Sequence, residues 1–277
     1  MSNPYAAADA LQSTPNVPVL DLFSLKGKTA LVTGGLRGIG QAIAVALAGA
    51  GAQVILAQRD TSNKATQELI KALPDSPGTK IIPCDLEDLD DVKQVFDRAL
   101  KVASGGTIDI LVNCGGMLIR EDSVNVTHAD WSKVLDINLN ALFLLSQAAG
   151  KHMIERREGK IVNIASLNSF IGGFRVASYS AAKGAVTQLT KALSNEWAKY
   201  NINVNAIAPG SVATDINTEA RKNEDFVKSR LAGTPGGRWG APEDFAGVAV
   251  FLASRASQWI TGEVITVDGG AMAKGAI

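Results

Sequence analysis

The sequence of 277 residues lacks a net charge, since 27 lysines and arginines balance 27 aspartates and glutamates. Without an excess of positive charge, the chain lacks the long-range field that attracts proteins to nucleic acids or anionic membranes. It has only two cysteines, Cys84 and Cys114, too few for the disulfide framework of a secreted protein. These absences argue against nucleic acid and membrane as partners and favour a reducing, cytoplasmic location.

The sequence also has little that could hold a metal ion or cross a membrane. Its histidines, His128 and His152, have no cysteine or carboxylate partner at metal-ligand spacing, so we expect no metal. One uncharged run, residues 38–57, is rich in alanine and is interrupted by Gly49 and Gly51. A helix followed by a buried strand explains this run better than a transmembrane helix.

Short β-branched runs alternate along the chain with longer segments whose apolar residues recur at helical spacing. This alternation predicts a parallel sheet with helices on both faces, and a doubly wound Rossmann-type α/β topology is the economical solution. In that strand order, two strands separate Cys84 from Cys114, which makes a disulfide improbable. The predicted strands are 29–33, 53–57, 80–83, 108–112, 160–165, 203–206 and 264–267, and the predicted helices are 39–49, 61–73, 88–103, 128–152, 178–199 and 242–253.

The chain divides into a tail and one domain. Residues 1–22 hold three prolines and no sustained hydrophobic period, which predicts a flexible N-terminal tail. No linker divides residues 23–277, so we interpret them as a single domain. Within it, the segment 210–240 is polar, is flanked by glycines and follows a predicted strand end, so we expect a substrate lid there.

A glycine-rich turn, residues 33–40, follows the first predicted strand and opens the first predicted helix. Glycines let the backbone approach a pyrophosphate, which the positive end of the helix then holds. The spacing G-x-x-x-G-x-G is weak evidence by itself, because a tight strand-to-helix turn without a ligand uses the same residues.

Tyr179 and Lys183 lie four residues apart in a strongly helical segment, so both side chains occupy one face of a helix. A neighbouring ammonium lowers the pKa of a phenol, as acid–base chemistry near neutral pH requires. Ser166 follows the fifth predicted strand, where its hydroxyl can orient a carbonyl. For the Tyr–Lys pair alone, a solvent-facing tyrosine beside a surface lysine is the alternative.

Taken in order, these motifs resemble the short-chain dehydrogenase/reductase family from about Phe23 to Gly270. Further matches are Asp85, Asn138 and the segments 113–116, 209–214 and 267–270. One departure is Cys114, since the family usually has Asn-Asn-Ala-Gly where this chain has Asn-Cys-Gly-Gly. The hydrogen bonds through which the second asparagine of that motif braces the sheet must then come from other residues.

The resemblance implies a dinucleotide-binding oxidoreductase that transfers hydride between nicotinamide and a secondary alcohol or ketone. It implies that Tyr179 is the general acid/base, that Lys183 holds the nicotinamide ribose and lowers the tyrosine pKa, and that Ser166 positions the carbonyl. Asn138 would anchor a water that relays protons. With Tyr179 and Lys183, the implied cofactor-binding residues are Gly34, Leu36, Arg37, Gly38, Ile39, Gly40, Arg59, Asp85, Leu86, Asn113, Gly115, Pro209, Gly210, Val212 and Thr214.

Segments 119–122, 169–176, 195–199 and 237–240 give a closer resemblance to the 2-deoxy-D-gluconate 3-dehydrogenase or 2-dehydro-3-deoxy-D-gluconate 5-dehydrogenase type. This resemblance implies a sugar acid, such as a deoxygluconate, as the small-molecule substrate. An arginine fork suits a carboxylate, and we expect Arg175, or with less support Arg120, to bind it. A surface or intersubunit salt bridge is the alternative for both arginines.

Two other functions are alternatives. The first keeps the chemistry but acts on an acyl-carrier, steroid or polyketide ketone, with an acidic carrier recognised by Arg221, Lys222, Lys228 and Arg230. A solvated helix face explains those four cations more simply. The second alternative is a nucleotide-sensing module without catalysis, which need not keep Asn138, Ser166, Tyr179 and Lys183 together.

The nicotinamide cofactor is predicted from the end of the second strand, where a carboxylate selects NAD and a cation accepts the 2′-phosphate of NADP. Counting from residues 53–57, Gln58 and Arg59 come next, while Asp60 lies further along the loop. Together with Arg37 in the glycine turn, Arg59 favours NADP, and NAD is the alternative. The family resemblance also implies a homotetramer built partly through residues 128–152 and 178–199.

Overall fold

The strands of the computed structural model, which describes residues 18–274, form one parallel sheet. They are β1 Thr29–Thr33, β2 Gln53–Gln58, β3 Thr79–Pro83, β4 Ile110–Asn113, β5 Gly159–Ile164, β6 Ile202–Pro209 and β7 Val264–Val267. The order β3-β2-β1-β4-β5-β6-β7 confirms the predicted doubly wound Rossmann-type topology. Cys84 and Cys114 are free thiols that follow β3 and β4, with β2 and β1 between them.

Helices cover both faces of this sheet. They are α1 Gly38–Gly49, α2 Ala65–Lys71, α3 Leu89–Val102, α4 His128–Leu135, α5 Ala141–Arg156, α6 Ala177–Trp197, α7 Thr218–Arg221, α8 Glu224–Ala232 and α9 Ala246–Ala253. Helices α1 and α9 pack on one face, and α3, α5 and α6 pack on the other. Among residues 18–274, no helix is both long and apolar enough to span a bilayer.

The central strand β1 is buried on both faces, which explains its continuous apolar sequence. Ala30 and Val32 belong to the core that α1 and α9 cover. Leu31 belongs to the opposite core, with α3, α5 and α6. Because side chains alternate along a strand, one short segment contributes to both cores and fixes the sheet between its helical layers.

Three segments differ from the predictions. The predicted helix 128–152 is two helices joined by a π-helical turn, Asp136–Asn140, which the apolar spacing of the flanking turns does not reveal. The least regular predicted segment, 210–240, contains α7 and α8. Of the predicted tail, residues 1–17 lie outside the described residues, and Val19–Phe23 forms a 3-10 turn.

The contact between α5 and α6 generates a stability prediction. A Cβ at Gly150 would lie 2.6 Å from the Trp197 ring. We expect Gly150→Ala to lower the free energy of unfolding by about 1–3 kcal/mol, since overpacking a core outweighs the better helix propensity of alanine. Urea denaturation followed by circular dichroism measures the change.

The matched control is Gly247→Ala in α9, because a Cβ there has no heavy atom within 4 Å. The control should leave stability unchanged or raise it by up to about 1 kcal/mol. Equal stability of the two variants would show that α5 and α6 tolerate a methyl group between them.

Candidate active site

A cleft of about 880 Å³ runs along the carboxyl ends of the strands. It lies where β1 and β4 diverge, the switch point at which doubly wound sheets bind ligands. All the predicted cofactor-binding residues line it except Asn113. The cleft is also lined by residues of the segment 210–240, including Phe226, Arg230 and Trp239.

The glycine turn brings the backbones that follow β1 and β4 into close approach. Gly34 and Gly38 have positive φ angles of 65° and 56°, which L side chains rarely adopt. A Cβ at Gly34 would lie 2.7 Å from the Gly115 backbone, and a Cβ at Gly40 would overlap the Gly34 carbonyl oxygen. Helix α1 therefore begins against the cleft without intervening side chains, and its N-terminus fits a pyrophosphate.

Tyr179, Lys183 and Ser166 meet at one end of the cleft. Helix α6 carries Tyr179 and Lys183, and the Lys183 Nζ lies 5.7 Å from the Tyr179 ring centroid. Ser166 follows β5, and its hydroxyl acts on the phenol of Tyr179, whose pKa it lowers. The Lys183 Nζ donates to the carbonyl oxygen of Ile164 at 2.7 Å. The structure thus brings together the three residues that the sequence singled out.

Burial dominates the electrostatics of this group. It raises the pKa of Tyr179 above its usual value, while the Ser166 hydroxyl and the charge of Arg120 oppose that rise. Lys183 is not among the causes; its ammonium faces the Ile164 carbonyl, and its burial lowers the pKa of Lys183 to about 8. Burial thus outweighs the opposing effects on Tyr179 in this arrangement, and the expected lowering of its pKa by Lys183 stays a prediction.

The π-helical turn positions Asn138. Its side-chain Nδ2 donates to the carbonyl oxygens of Met117 and Val134, both at 2.8 Å. Its Oδ1 is buried and has no hydrogen-bond partner among the described residues. A Cβ at Gly116 would lie 2.7 Å from this oxygen and 3.8 Å from the Lys183 Nζ. The glycine thus leaves space between an unpaired acceptor and a buried ammonium.

Asn113 lies in the core beneath the cleft rather than on its wall. Its Nδ2 donates to Ser146 Oγ at 3.0 Å and to Asn163 Oδ1 at 2.9 Å. The carboxamide therefore ties β4 to β5 and α5, and the expected place of Asn113 beside the adenosine ribose stays a prediction. Beside the atypical Cys114, the Thr33 hydroxyl accepts the backbone N–H of both Cys114 and Gly115 at 3.2 Å, which ties β1 to β4.

Arg59 and Arg37, the two cations predicted to bind the cofactor, both line the cleft, but among residues 18–274 only Arg37 forms an ion pair. Strand β2 extends to Gln58, so Arg59 is the first residue beyond it, one position closer than predicted. Arg37 forms an exposed ion pair of 3.0 Å with Asp215. Asp60 also lines the cleft, but its carboxylate accepts the Ser62 backbone N–H at 3.0 Å and the Ser62 hydroxyl.

Of the two arginines predicted to bind the substrate, Arg120 lines the cleft and Arg175 does not, although Arg175 was the preferred candidate. Arg175 forms ion pairs with Asp122 at 3.0 Å and Glu121 at 3.5 Å, and it borders a neighbouring depression instead of the main cleft. Arg120 does line the cleft, and it has no ion-pair partner within residues 18–274. The expectation for Arg175 is corrected, since its positive charge is already neutralised by local carboxylates.

The chain matches the family model described as enoyl-(acyl carrier protein) reductase over residues 34–272. It is 47% identical over 254 residues to 2-dehydro-3-deoxy-D-gluconate 5-dehydrogenase of Bacillus subtilis, covering 90% of this chain and 96% of that protein. The chain belongs to the short-chain dehydrogenase/reductase family.

Solved structures of this family share the fold. A candidate 2-deoxy-D-gluconate 3-dehydrogenase of Agrobacterium tumefaciens, with bound NADP, has a TM-score of 0.85 and 45% identity, covering 92% of this chain and all of that one (100%). A gluconate 5-dehydrogenase of Burkholderia cenocepacia, in complex with NADP and tartrate, has a TM-score of 0.86 and 34% identity, covering 93% and 100%.

Among the lining residues of this short-chain dehydrogenase/reductase that were not predicted as parts of the site are Phe226, Arg230 and Trp239. Of these, only Arg230 was considered individually, as one of four cations on a helix face. Their only common signal was their position in the segment 210–240, which follows the carboxyl end of a strand. Within the described residues, no cluster of histidine, cysteine or carboxylate side chains could hold a metal ion.

The effect of Ser166 on Tyr179 generates a prediction about pH. Because the Ser166 hydroxyl lowers the pKa of Tyr179, Ser166→Ala should raise that pKa further. Alcohol oxidation needs the phenolate, which accumulates as the pH rises through that pKa. The rise of kcat/KM with pH should therefore occur at higher pH in the variant.

Ser169→Ala is the control, because the Ser169 hydroxyl donates to the backbone carbonyl of Lys183 at 2.6 Å and leaves the phenol untouched. The control should keep the wild-type pH profile. A profile of Ser166→Ala that coincides with wild type, or lies at lower pH, would contradict the effect assigned to Ser166.

Proposed function

We propose that the protein is an NADP-dependent oxidoreductase that transfers hydride between nicotinamide and a secondary alcohol or ketone of a sugar acid, such as a deoxygluconate. The observation that carries this proposal is the meeting of Ser166, Tyr179 and Lys183 at one end of a cleft whose other part has a glycine cradle for pyrophosphate. The relatives named for deoxygluconate and gluconate support the substrate class.

The bound nicotinamide supplies or accepts the hydride, and the side chains manage the proton and the carbonyl. In ketone reduction, the Tyr179 hydroxyl donates its proton to the carbonyl oxygen, and in alcohol oxidation the phenolate takes that proton back. Ser166 donates a hydrogen bond to the same oxygen and holds it in line. The raised pKa of Tyr179 keeps the phenol protonated, which favours the role of acid in ketone reduction.

Lys183 and Asn138 complete the proposed proton path. The buried Lys183 ammonium holds the nicotinamide ribose, and its pKa of about 8 lets it exchange protons near neutral pH. Asn138 presents an unpaired Oδ1 across Gly116 from this ammonium, and a water between them would satisfy both groups. This path would reprotonate Tyr179 after each ketone reduction.

The preference for NADP rests on Arg59 and Arg37. Arg59 follows β2 directly and has no ion-pair partner within residues 18–274, while Arg37 approaches from the glycine turn. The 2′-phosphate of NADP would take the place of Asp215 as the partner of Arg37. Solved relatives with bound NADP support this preference.

We expect Arg59→Ala to weaken NADPH binding about tenfold to a hundredfold, the effect of one charge-assisted hydrogen bond. NADH binding should change little. Lys64→Ala is the control, since its ammonium donates to the Thr61 carbonyl in the same loop. Fluorescence titrations with both cofactors measure the affinities, and equal losses for NADPH and NADH would remove Arg59 from the phosphate site.

We expect Tyr179→Phe to reduce turnover about 10²–10⁴-fold, the usual contribution of a positioned acid or base, while NADPH still binds. Tyr200→Phe is the matched control, because that ring lies outside the cleft beneath the cations of Arg157 and Lys199. Single-turnover reduction measures the chemical step. Retention of more than about a tenth of wild-type turnover by Tyr179→Phe would contradict its role as the acid.

The cations of the segment 210–240 give little support to an acidic carrier protein as partner. Lys222 pairs with Glu219 at 2.7 Å, and Lys228 pairs with Glu224 at 3.7 Å. These exposed pairs are typical of solvated helix surfaces. A small sugar acid, with Arg120 rather than Arg175 at its carboxylate, accounts better for the cations that do line the cleft.

We also propose that the protein works in the cytoplasm as a homotetramer. Trp131 on α4 and Phe143 on α5 are 37% and 38% exposed, which supports an interface through these helices. The two free thiols, Cys84 and Cys114, support a reducing compartment. Light scattering at micromolar concentration should give the mass of four chains, and the mass of one chain would contradict the assembly.

A further inference from the structure

Two unneutralised arginines face the cleft at its catalytic end. Arg120 follows β4, and Arg230 lies in the last turn of α8, so they come from separate parts of the chain. Neither has an ion-pair partner within residues 18–274, whereas two other lining cations, Arg37 and Lys133, pair with carboxylates. Among the lining arginines, Arg59 also lacks a partner, but it lies at the opposite, adenosine end, beyond β2.

The charges of Arg120 and Arg230 act on each other and on the catalytic tyrosine. Burial lowers the pKa of Arg120, and the charge of Arg230 lowers it further. Arg120 in turn lowers the pKa of Tyr179, and both arginines line the same cleft as this tyrosine. Two cations that repel each other at the mouth of a site are stabilised by an anion that binds between them.

Arg230 is positioned by aromatic side chains of the same segment. Its guanidinium lies 5.1 Å from the centroid of the Phe226 ring, in a cation–π contact. The Phe226 ring in turn packs against Trp239 with centroids 6.3 Å apart. Both rings line the cleft, so the stack orients the exposed guanidinium of Arg230 at the cleft wall.

We infer that Arg230 binds the substrate carboxylate together with Arg120, so that the segment 210–240 selects sugar acids over neutral sugars by charge. This inference rests on the proposed function and adds a specificity-determining residue to it. Two guanidinium forks from separate elements can hold both carboxylate oxygens. The phenol of Tyr179 then meets a carbonyl at a fixed distance from the carboxylate.

The test compares Arg230→Met with Lys228→Met, a neutralisation on the same helix at an ion pair outside the cleft. Steady-state reduction is measured with NADPH for a keto sugar acid and for its methyl ester. Arg230→Met should raise KM for the acid about tenfold to a hundredfold, with little change for the ester. Lys228→Met should match wild type with both substrates.

A second readout uses the protein loaded with NADP and needs no turnover. Titration calorimetry with tartrate, a hydroxy acid found with a solved relative, should show binding that Arg230→Met and Arg120→Met each weaken at least tenfold. Tartrate diamide should bind weakly to all variants. Unchanged affinity in NADP-loaded Arg230→Met would overturn the inference even if the variant lost activity.

The outcomes separate this inference from the proposed function. Wild type that reduces the keto acid, with Arg230→Met equal to Lys228→Met, would overturn the role of Arg230 alone. Equal losses for acid and ester in Arg230→Met would also overturn it, since they would show only a disturbed lid. Wild type without activity on any sugar acid would overturn the proposed function and, with it, the assignment of the carboxylate.

Discussion

The site depends on the close approach of two backbones, the turn after β1 and the turn after β4. Gly34 and Gly115 come so near that a side chain on the first would strike the backbone of the second. This approach places the start of α1 at the mouth of the cleft, while the Thr33 hydroxyl ties the two turns together. The adenosine and catalytic ends of the cleft therefore have fixed positions relative to one another.

Burial of polar groups beneath and within the cleft gives these positions their rigidity. Asn113, Asn163 and Thr190 form a chain of hydrogen bonds that joins β4, β5 and α6. Above this chain, burial acts in opposite directions on Tyr179 and Lys183: it raises the pKa of the phenol and lowers that of the ammonium. Both shifts favour neutral forms, so the pair exchanges protons at little electrostatic cost.

The sequence predicted the order of strands because β-branched runs and helical periods alternate so regularly. It also predicted the meeting of Ser166, Tyr179 and Lys183, since parallel strands end at one edge and residues four apart share a helix face. The π-helical turn at Asn138 was not predictable, because an inserted residue leaves the apolar spacing on each side intact.

The contacts of individual side chains could also not be predicted from the sequence. Arg175 seemed the better substrate ligand because it precedes Tyr179 by four residues, but its positive φ of 59° and its carboxylate neighbours direct it elsewhere. Asn113 matched a cofactor position, yet its carboxamide is used by the core. In both cases a residue from a distant part of the fold decided the contact, and no local pattern encodes such a partner.

The balanced net charge of the chain conceals an uneven arrangement of charges at the cleft. Unpaired arginines lie at both of its ends, where a phosphate and a carboxylate would neutralise them. The most direct measurement is therefore kcat/KM of the wild-type enzyme with NADPH for a keto sugar acid, the matching neutral ketose and an acyl thioester. The account predicts the highest value for the sugar acid. A higher value for the thioester, or no oxidation of NADPH with any keto sugar acid, would contradict it.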